Sequence, residues 1–199
     1  MHPPTKIVKK TYSSLPVTID PRAEKARSSF VQILGSLLDE LDDHYTQLLV
    51  LCIGSDRSTG DSLGPLVGSV LQNLPLENTI VLGTLSRPVH ALNLPKTREL
   101  LANEYKSAAI LAIDACLGRK SKVGCLEIGK GSVYPGAAVK KSISPVGDLF
   151  ITGIVNVAGF MEELVLQSTR LGFVFPLAQF ISLGIYKAVS DSEWLNKKN

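Results

Sequence analysis

The sequence predicts an α/β fold, a three-layer sandwich with a central, mostly parallel sheet and helices on both faces. Three short apolar runs carry this reading: Leu48-Leu49-Val50-Leu51-Cys52-Ile53, Ile80-Val81-Leu82 and Ala108-Ala109-Ile110-Leu111-Ala112-Ile113. Each stops at a turn former, Gly54, Gly83 and Asp114 in turn. Short, continuously apolar segments bounded in this way are strands buried on both faces, as parallel strands are. Helical patterns over residues 62–74 and 97–105 separate them, and strand–helix–strand alternation places helices on either side of the sheet.

The remaining elements follow in order. Residues 1–18 are polar, basic and without period, which reads as a flexible arm and leaves 19–199 as a single domain. Asp20 before Pro21 has the form of a helix N-cap followed by the first helical position. Phe30, Ile33, Leu34, Leu37, Leu38 and Leu41 then recur at helical spacing, toward an end near Asp43. Later strands are expected over 123–128 and 150–157. A long helix should run from about Phe160 into the last thirty residues, broken near Gly172 and Pro176. A chain of 199 residues and 21.4 kDa suits one hydrophobic core.

Composition removes several classes of function. Hydrophobic residues are 45% and charged residues 20%, ordinary for a globular protein. A net charge of +3 is too mild for a nucleic-acid binder. Three cysteines do not make a disulfide framework, and three histidines with no CxxC or HxxxH pair do not make a zinc finger. The basic N-terminus has no apolar segment of a secretory signal. The apolar run 171–186 is shorter than the ~20 residues of a membrane span and is interrupted by Pro176 and Gln179. The expectation is a cytoplasmic chain that binds neither nucleic acid nor membrane.

Chemistry in such a sheet belongs at the carboxyl ends of the parallel strands. Two of these ends carry an aspartate among glycines: Gly54-Ser55-Asp56-Arg57-Ser58-Thr59-Gly60-Asp61 and Asp114-Ala115-Cys116-Leu117-Gly118. The first is not a phosphate loop. Its glycines are one residue too far apart for GxxxxGK[ST], and Asp61 stands where a lysine is needed. Neither GxGxxG nor GxSxG is present. Asp61 alone has the form of a helix cap, and Asp114 that of a turn cap. Together, on neighbouring strands, they would form a carboxylate pair. Two close carboxylates do not both ionise cheaply, so one stays protonated to polarise a carbonyl while the other activates water. That is metal-free peptide hydrolysis, catalysed by Asp61 and Asp114, with no cofactor and no metal.

Gly54, Ser55, Asp56, Gly60, His90, Pro135 and Gly136 are expected to line the substrate groove. His2 and His44 read as solvated. Cys116, with no base marked for it, reads as a small buried residue, and Cys52 as strand core. Lys140 and Lys141 lie either on a solvated basic turn or where they attract an acidic partner. The closing helix suits burial against the sheet or against a second copy in a homo-oligomer.

These segments resemble a known superfamily. Gly54-Ser55-Asp56 with Gly60-Asp61-Ser62-Leu63-Gly64-Pro65, Ala112-Ile113-Asp114-Ala115, Val133-Tyr134-Pro135-Gly136-Ala137 and Thr152-Gly153-Ile154-Val155-Asn156-Val157 resemble, in order, motifs of the germination protease and hydrogenase-maturation endopeptidase superfamily. More narrowly, Pro88-Val89-His90-Ala91, Ile113-Asp114-Ala115-Cys116-Leu117-Gly118-Arg119 and the stretch from Val155 to Arg170 are similar to the YyaC-type spore proteases. The resemblance implies a hydrogenase-maturation-protease-like (phosphorylase/hydrolase-like) α/β fold, peptidase activity and a role in sporulation and germination. It also implies a protein or peptide substrate such as the small acid-soluble spore proteins, with Asp61 and Asp114 at the two functional acid positions. In the hydrogenase branch the corresponding acids bind nickel with a later histidine, but no histidine follows Asp114 here. Asp56 stands where asparagine is frequent. Two alternatives remain open: an inactive binding or regulatory protein of the same fold, and a metal-assisted endopeptidase using Asp61, Asp114 and His90.

Overall fold

Apolar runs that are buried on both faces need cover on both faces, and the arrangement of the elements supplies it. A computed structural model describes residues 15–135 and 144–197. Strands β1 (Val17–Ile19), β2 (Gln47–Cys52), β3 (Thr79–Leu82), β4 (Ala108–Gly118), β5 (Leu126–Lys130) and β6 (Leu149–Val157) form one sheet in the order β1-β5-β6-β4-β2-β3. β3, β2, β4 and β6 are mutually parallel, and only β5 runs against the rest.

The period of two along each strand divides the core into two layers. Leu48, Val50 and Cys52 of β2 join Ala109, Leu111 and Ile113 of β4 on one face. Helices α1 (Ala26–Asp39), α2 (Leu63–Leu71) and α5 (Leu171–Asp191) cover it. Leu49, Leu51, Ala108 and Ala112 face the other way, toward Leu94 and Leu101 of α3 (Leu94–Glu104). At about 1.5–3 kcal/mol for each fully buried large apolar side chain, Phe30, Leu34 and Leu38 of α1 and Ile181 and Ile185 of α5 each contribute substantially to the helical layer. Phe30 and Phe180 meet edge to face at 5.6 Å. The chain closes with α6 (Glu193–Asn196), tied to α1 where Asp39 Oδ1 accepts from Ser192 Oγ (3.0 Å) and Trp194 N (3.1 Å).

Several boundaries differ from the sequence expectation. Val17 and Thr18, within the segment read as an arm, pair with Ile128 and Glu127 as part of β1; residues 1–14 lie outside the described residues. Asp20 does not cap α1. Its carboxylate accepts from Arg22 N (3.0 Å) and holds the Arg22 guanidinium, so it stabilises a turn and the helix begins later, at Ala26. The final helical region breaks between α4 (Glu162–Gln167) and α5, just before Gly172 as expected, but not at Pro176. Pro176 is the sixth residue of α5, past the first four amides that have no intrahelical partner, and the helix continues through it. α5 is long and apolar enough, by length and composition, to cross a membrane. Its Val174, Ala178, Ile181 and Ile185 are nevertheless buried in the protein core, as in the central helix of a globular domain.

Candidate active site

The site arises from a difference in strand length. β2 and β4 pair from Gln47↔Ala108 to Cys52↔Ile113, and Ile53 N still donates to Ile113 O (2.7 Å). β2 then turns away at Gly54, while β4 continues through Asp114 to Gly118 against β6 alone. Asp114 was expected to end its strand. It lies inside it instead, one residue past the last β2 partner, at the head of the gap that β2 leaves. The polar residues of this extension alternate: Asp114 and Cys116 share the α3 face with Ala112, while Ala115 and Leu117 pack on the helical layer. Opposite Asp114 on β6 is Thr152, and opposite Thr152 on β5 is Glu127, so three polar residues form a row across three strands.

Asp61 comes to the same gap by close packing. Gly54 has φ +141°, and a Cβ there would stand 2.0 Å from the Asp61 carbonyl oxygen, so only glycine lets the loop fold back on itself. Ser55 N donates to that same carbonyl (3.1 Å). At Gly64 a Cβ would lie 2.1 Å from Ile53 O, so the start of α2 rests directly on the end of β2. The glycines of this loop therefore permit backbone contact and do not cradle a phosphate. Asp61 lies in the 3-10 turn Gly60–Ser62, and neither that turn nor α2 has a side-chain N-cap. The capping role considered for Asp61 is not the one it plays.

His90 arrives beside Gly54, whose amide donates to Val89 O (2.8 Å). The His90 turn is held by Asn93, which accepts from His90 N (2.8 Å) and donates to Pro88 O (2.9 Å). Leu92 N donates to His90 Nδ1 (3.3 Å), which assigns the proton of a neutral ring to Nε2.

These segments enclose a cleft of about 870 Å³, within the range of small-molecule and peptide-side-chain sites. Of the sequence-predicted residues, Gly54, Ser55, Asp61, His90, Asp114 and Pro135 line it. Asp56 points to solvent and Gly60 is buried against Leu166, so neither forms the wall. Gly136, Lys140 and Lys141 lie outside the described residues. The wall also includes Arg57, Ser58, Glu127, Thr152, Glu162 and Glu163, which the sequence reading did not single out. Alternation along β5 and β6 was visible, but it takes the strand order to bring Glu127 and Thr152 beside Asp114.

The electrostatics of the two aspartates differ. Asp114 is 9% exposed, and burial, reinforced by the charge of Asp61, pushes its pKa well above the usual carboxylate range despite the hydrogen bond from Ala115 N (2.9 Å). Burial also raises Asp61, but the Ser55 amide and the charge of His90 oppose the rise. Both carboxyl-bearing residues line the same cleft, and the charge of Asp61 acts on Asp114 there. The Cys116 thiol is pushed up to about 11, first by burial and then by Asp114, so it stays protonated at neutral pH. Among the described residues, no three His, Cys, Asp or Glu side chains are grouped so as to hold a metal ion.

Comparison with known proteins places this architecture among relatives. Residues 20–184 match the family described as protein of unknown function (DUF1256). The chain is 48% identical over 151 residues to the uncharacterized protein YyaC of Bacillus subtilis (strain 168), an overlap that covers 76% of this chain and 73% of the relative. Its fold is similar to the crystal structure of the NiFe-hydrogenase maturation protease HycI from Thermococcus kodakarensis KOD1, with a TM-score of 0.51 and 15% identity. That match covers 80% of this chain and 99% of the other. At that identity the likeness speaks for the fold, and the expected hydrogenase-maturation-protease-like α/β architecture is present.

Proposed function

We propose that this chain, which belongs to the DUF1256 family of proteins of unknown function, is a peptidase that hydrolyses peptide bonds through the Asp61/Asp114 pair. One observation carries the proposal: Asp61 and Asp114 line one cleft, in environments that separate their proton affinities. Asp114, the more deeply buried, keeps its proton, whereas Asp61, assisted by the Ser55 amide and His90, is the one that ionises.

The roles follow from those states. Ionised Asp61 removes a proton from a water molecule as its oxygen attacks the scissile carbonyl carbon. Asp114 gives its proton to the carbonyl oxygen, so no unshielded oxyanion forms in the cleft. Collapse of the tetrahedral intermediate returns that proton to Asp114. Asp61 passes the proton it took to the leaving amine, and the C–N bond breaks. Both acids end as they began, and no metal takes part. The His90 ring adds a further polar group to the wall of the cleft. Within this reading the substrates are spore proteins. Small acid-soluble spore proteins are the first to assay, because the Val133–Ala137 segment and the two acidic loops resemble those of the germination protease.

The test is cleavage of small acid-soluble spore proteins by wild type, Asp61→Asn and Asp114→Asn. Each variant should lose about 10²–10⁴-fold in kcat, the typical worth of a general acid or base. The wild-type kcat/KM profile should be bell-shaped, with its two limbs reporting the pair. Wild-type rates in both variants, or loss of activity on chelation, would overturn the carboxylate mechanism.

A further inference from the structure

The proposed peptidase cleft has a charge of its own. The chain as a whole is net positive, with 21 Lys and Arg against 18 Asp and Glu. Among the described residues, however, the wall holds Asp61, Asp114, Glu127, Glu162 and Glu163 against Arg57 and the ring of His90. Five of the chain's 18 acids thus converge on one concavity with one of its 21 strong bases. With Asp114 protonated, as the peptidase reading has it, the open negative charge is that of Asp61, Glu162 and Glu163. Glu127 is held by Lys122 Nζ (2.7 Å), and Glu162 Oε1 accepts only the Gly159 amide (3.1 Å). Glu163 is exposed at the rim, and neither Glu162 nor Glu163 forms an ion pair with a described basic side chain. A cleft with like charges on low-dielectric walls focuses its field and concentrates counter-charges. The walls between the acids are apolar: Leu166 is buried, and Leu92 and Tyr134 stand at the rim. A long aliphatic stem ending in a cation matches that combination, since lysine and arginine lay their methylenes on apolar surface and keep the head among polar groups.

We propose that the cleft selects a peptide segment carrying a lysine or arginine beside the bond addressed by Asp61 and Asp114, with Glu162 and Glu163 of α4 as the residues that read the charge. The inference rests on the peptidase reading for the position of the bond, and it is separable from that reading by measuring binding without turnover. The probe is a set of degenerate decapeptides identical except for one fixed central residue: Lys, Arg, Gln or Glu. Binding is read by fluorescence polarisation on Asp114→Asn, and cleavage on wild type.

The Lys and Arg sets should bind about tenfold more tightly than the Gln set, the sum of two exposed ion pairs, with the Glu set weakest. The difference should shrink as salt is raised. Glu162→Gln/Glu163→Gln should bring the Lys and Gln sets to similar affinity. Glu162→Lys/Glu163→Lys should reverse the order in favour of the Glu set, a result that a misfolded α4 cannot produce. Equal affinities in the Asp114→Asn protein, tighter binding of the Glu set, or no binding of any set overturns the inference. Cleavage by wild type without charge preference leaves the peptidase standing and removes the selectivity; cationic binding with no cleavage does the reverse.

Discussion

Replacing Gly64 with alanine tests whether the end of β2 and the start of α2 position the site. The added methyl would lie 2.1 Å from the Ile53 carbonyl oxygen and 2.7 Å from its amide nitrogen. Both are backbone atoms, and Ile53 is tied into the sheet by its hydrogen bond to Ile113 O (2.7 Å), so no side chain can swing aside. Two effects compete. Alanine in a helix gains about 1 kcal/mol over glycine. Overpacking costs about 1–3 kcal/mol, and a rigid neighbour on both sides puts this site at the upper end. The net expectation is a loss of about 2 kcal/mol, seen as a melting temperature lower by roughly 4–8 °C for a chain of this size. Gly35→Ala in α1 is the control. It meets nothing within 4 Å, so the propensity gain should appear alone as a stabilisation of up to about 1 kcal/mol. In Gly64→Ala the relief of the clash moves α2 and the adjoining turn that carries Asp61. The proposed peptidase activity should therefore fall further than the folded fraction accounts for. Urea unfolding and peptide cleavage on the same samples decide the matter: a Gly64→Ala protein as stable as wild type or more so would refute this account of the loop.

Two other expectations concern protons. In the native state Asp114 and Asp61 bind protons more tightly than in the unfolded chain, so stability should fall as pH rises from the ordinary Asp pKa of about 3.9 through their raised native values, then level off. Asp114→Asn removes the larger contributor and should flatten most of that slope in urea midpoints measured between pH 4 and 8; an unchanged slope would place the titration elsewhere. With its thiol near 11 against an ordinary 9.0, Cys116 should carry about 100-fold less thiolate at pH 8 and resist iodoacetamide accordingly. Cys116→Ser should leave peptide cleavage within a fewfold of wild type, and a collapse of activity would point to thiol chemistry.

The central strands and the two acids were legible because each signal is local. Consecutive apolar residues that stop at a glycine or an aspartate need no knowledge of the partner strand; Asp114 falls at such an end and Asp61 in the glycine loop that follows another. The overhang of β4 was not legible. Asp114-Ala115-Cys116-Leu117-Gly118 reads as a turn by composition, and its alternation becomes meaningful only once β6 is known to pair with it alone. Glu127 and Thr152 were missed for the same reason, since the neighbours across a sheet depend on strand order. Asp20 illustrates the opposite failure: Asp-Pro is a good cap signature, but the neighbouring Arg22 competes for the same carboxylate and prevails. Val17–Ile19 is too short a segment to show a period, and it becomes a strand only because β5 offers an unpaired edge.

That three-residue edge has a consequence for anyone who trims the protein. The family match begins at residue 20, immediately after β1 ends at Ile19. A truncation at that boundary keeps every residue of the cleft named above but strips the outer border from β5. Its edge would then be open along Leu126–Ile128, where β1 now pairs, and exposed strand edges recruit other chains. Such a fragment should be prone to self-association through strand pairing. Residues far from Asp61 and Asp114 would in this way decide whether it can be studied as a monomer.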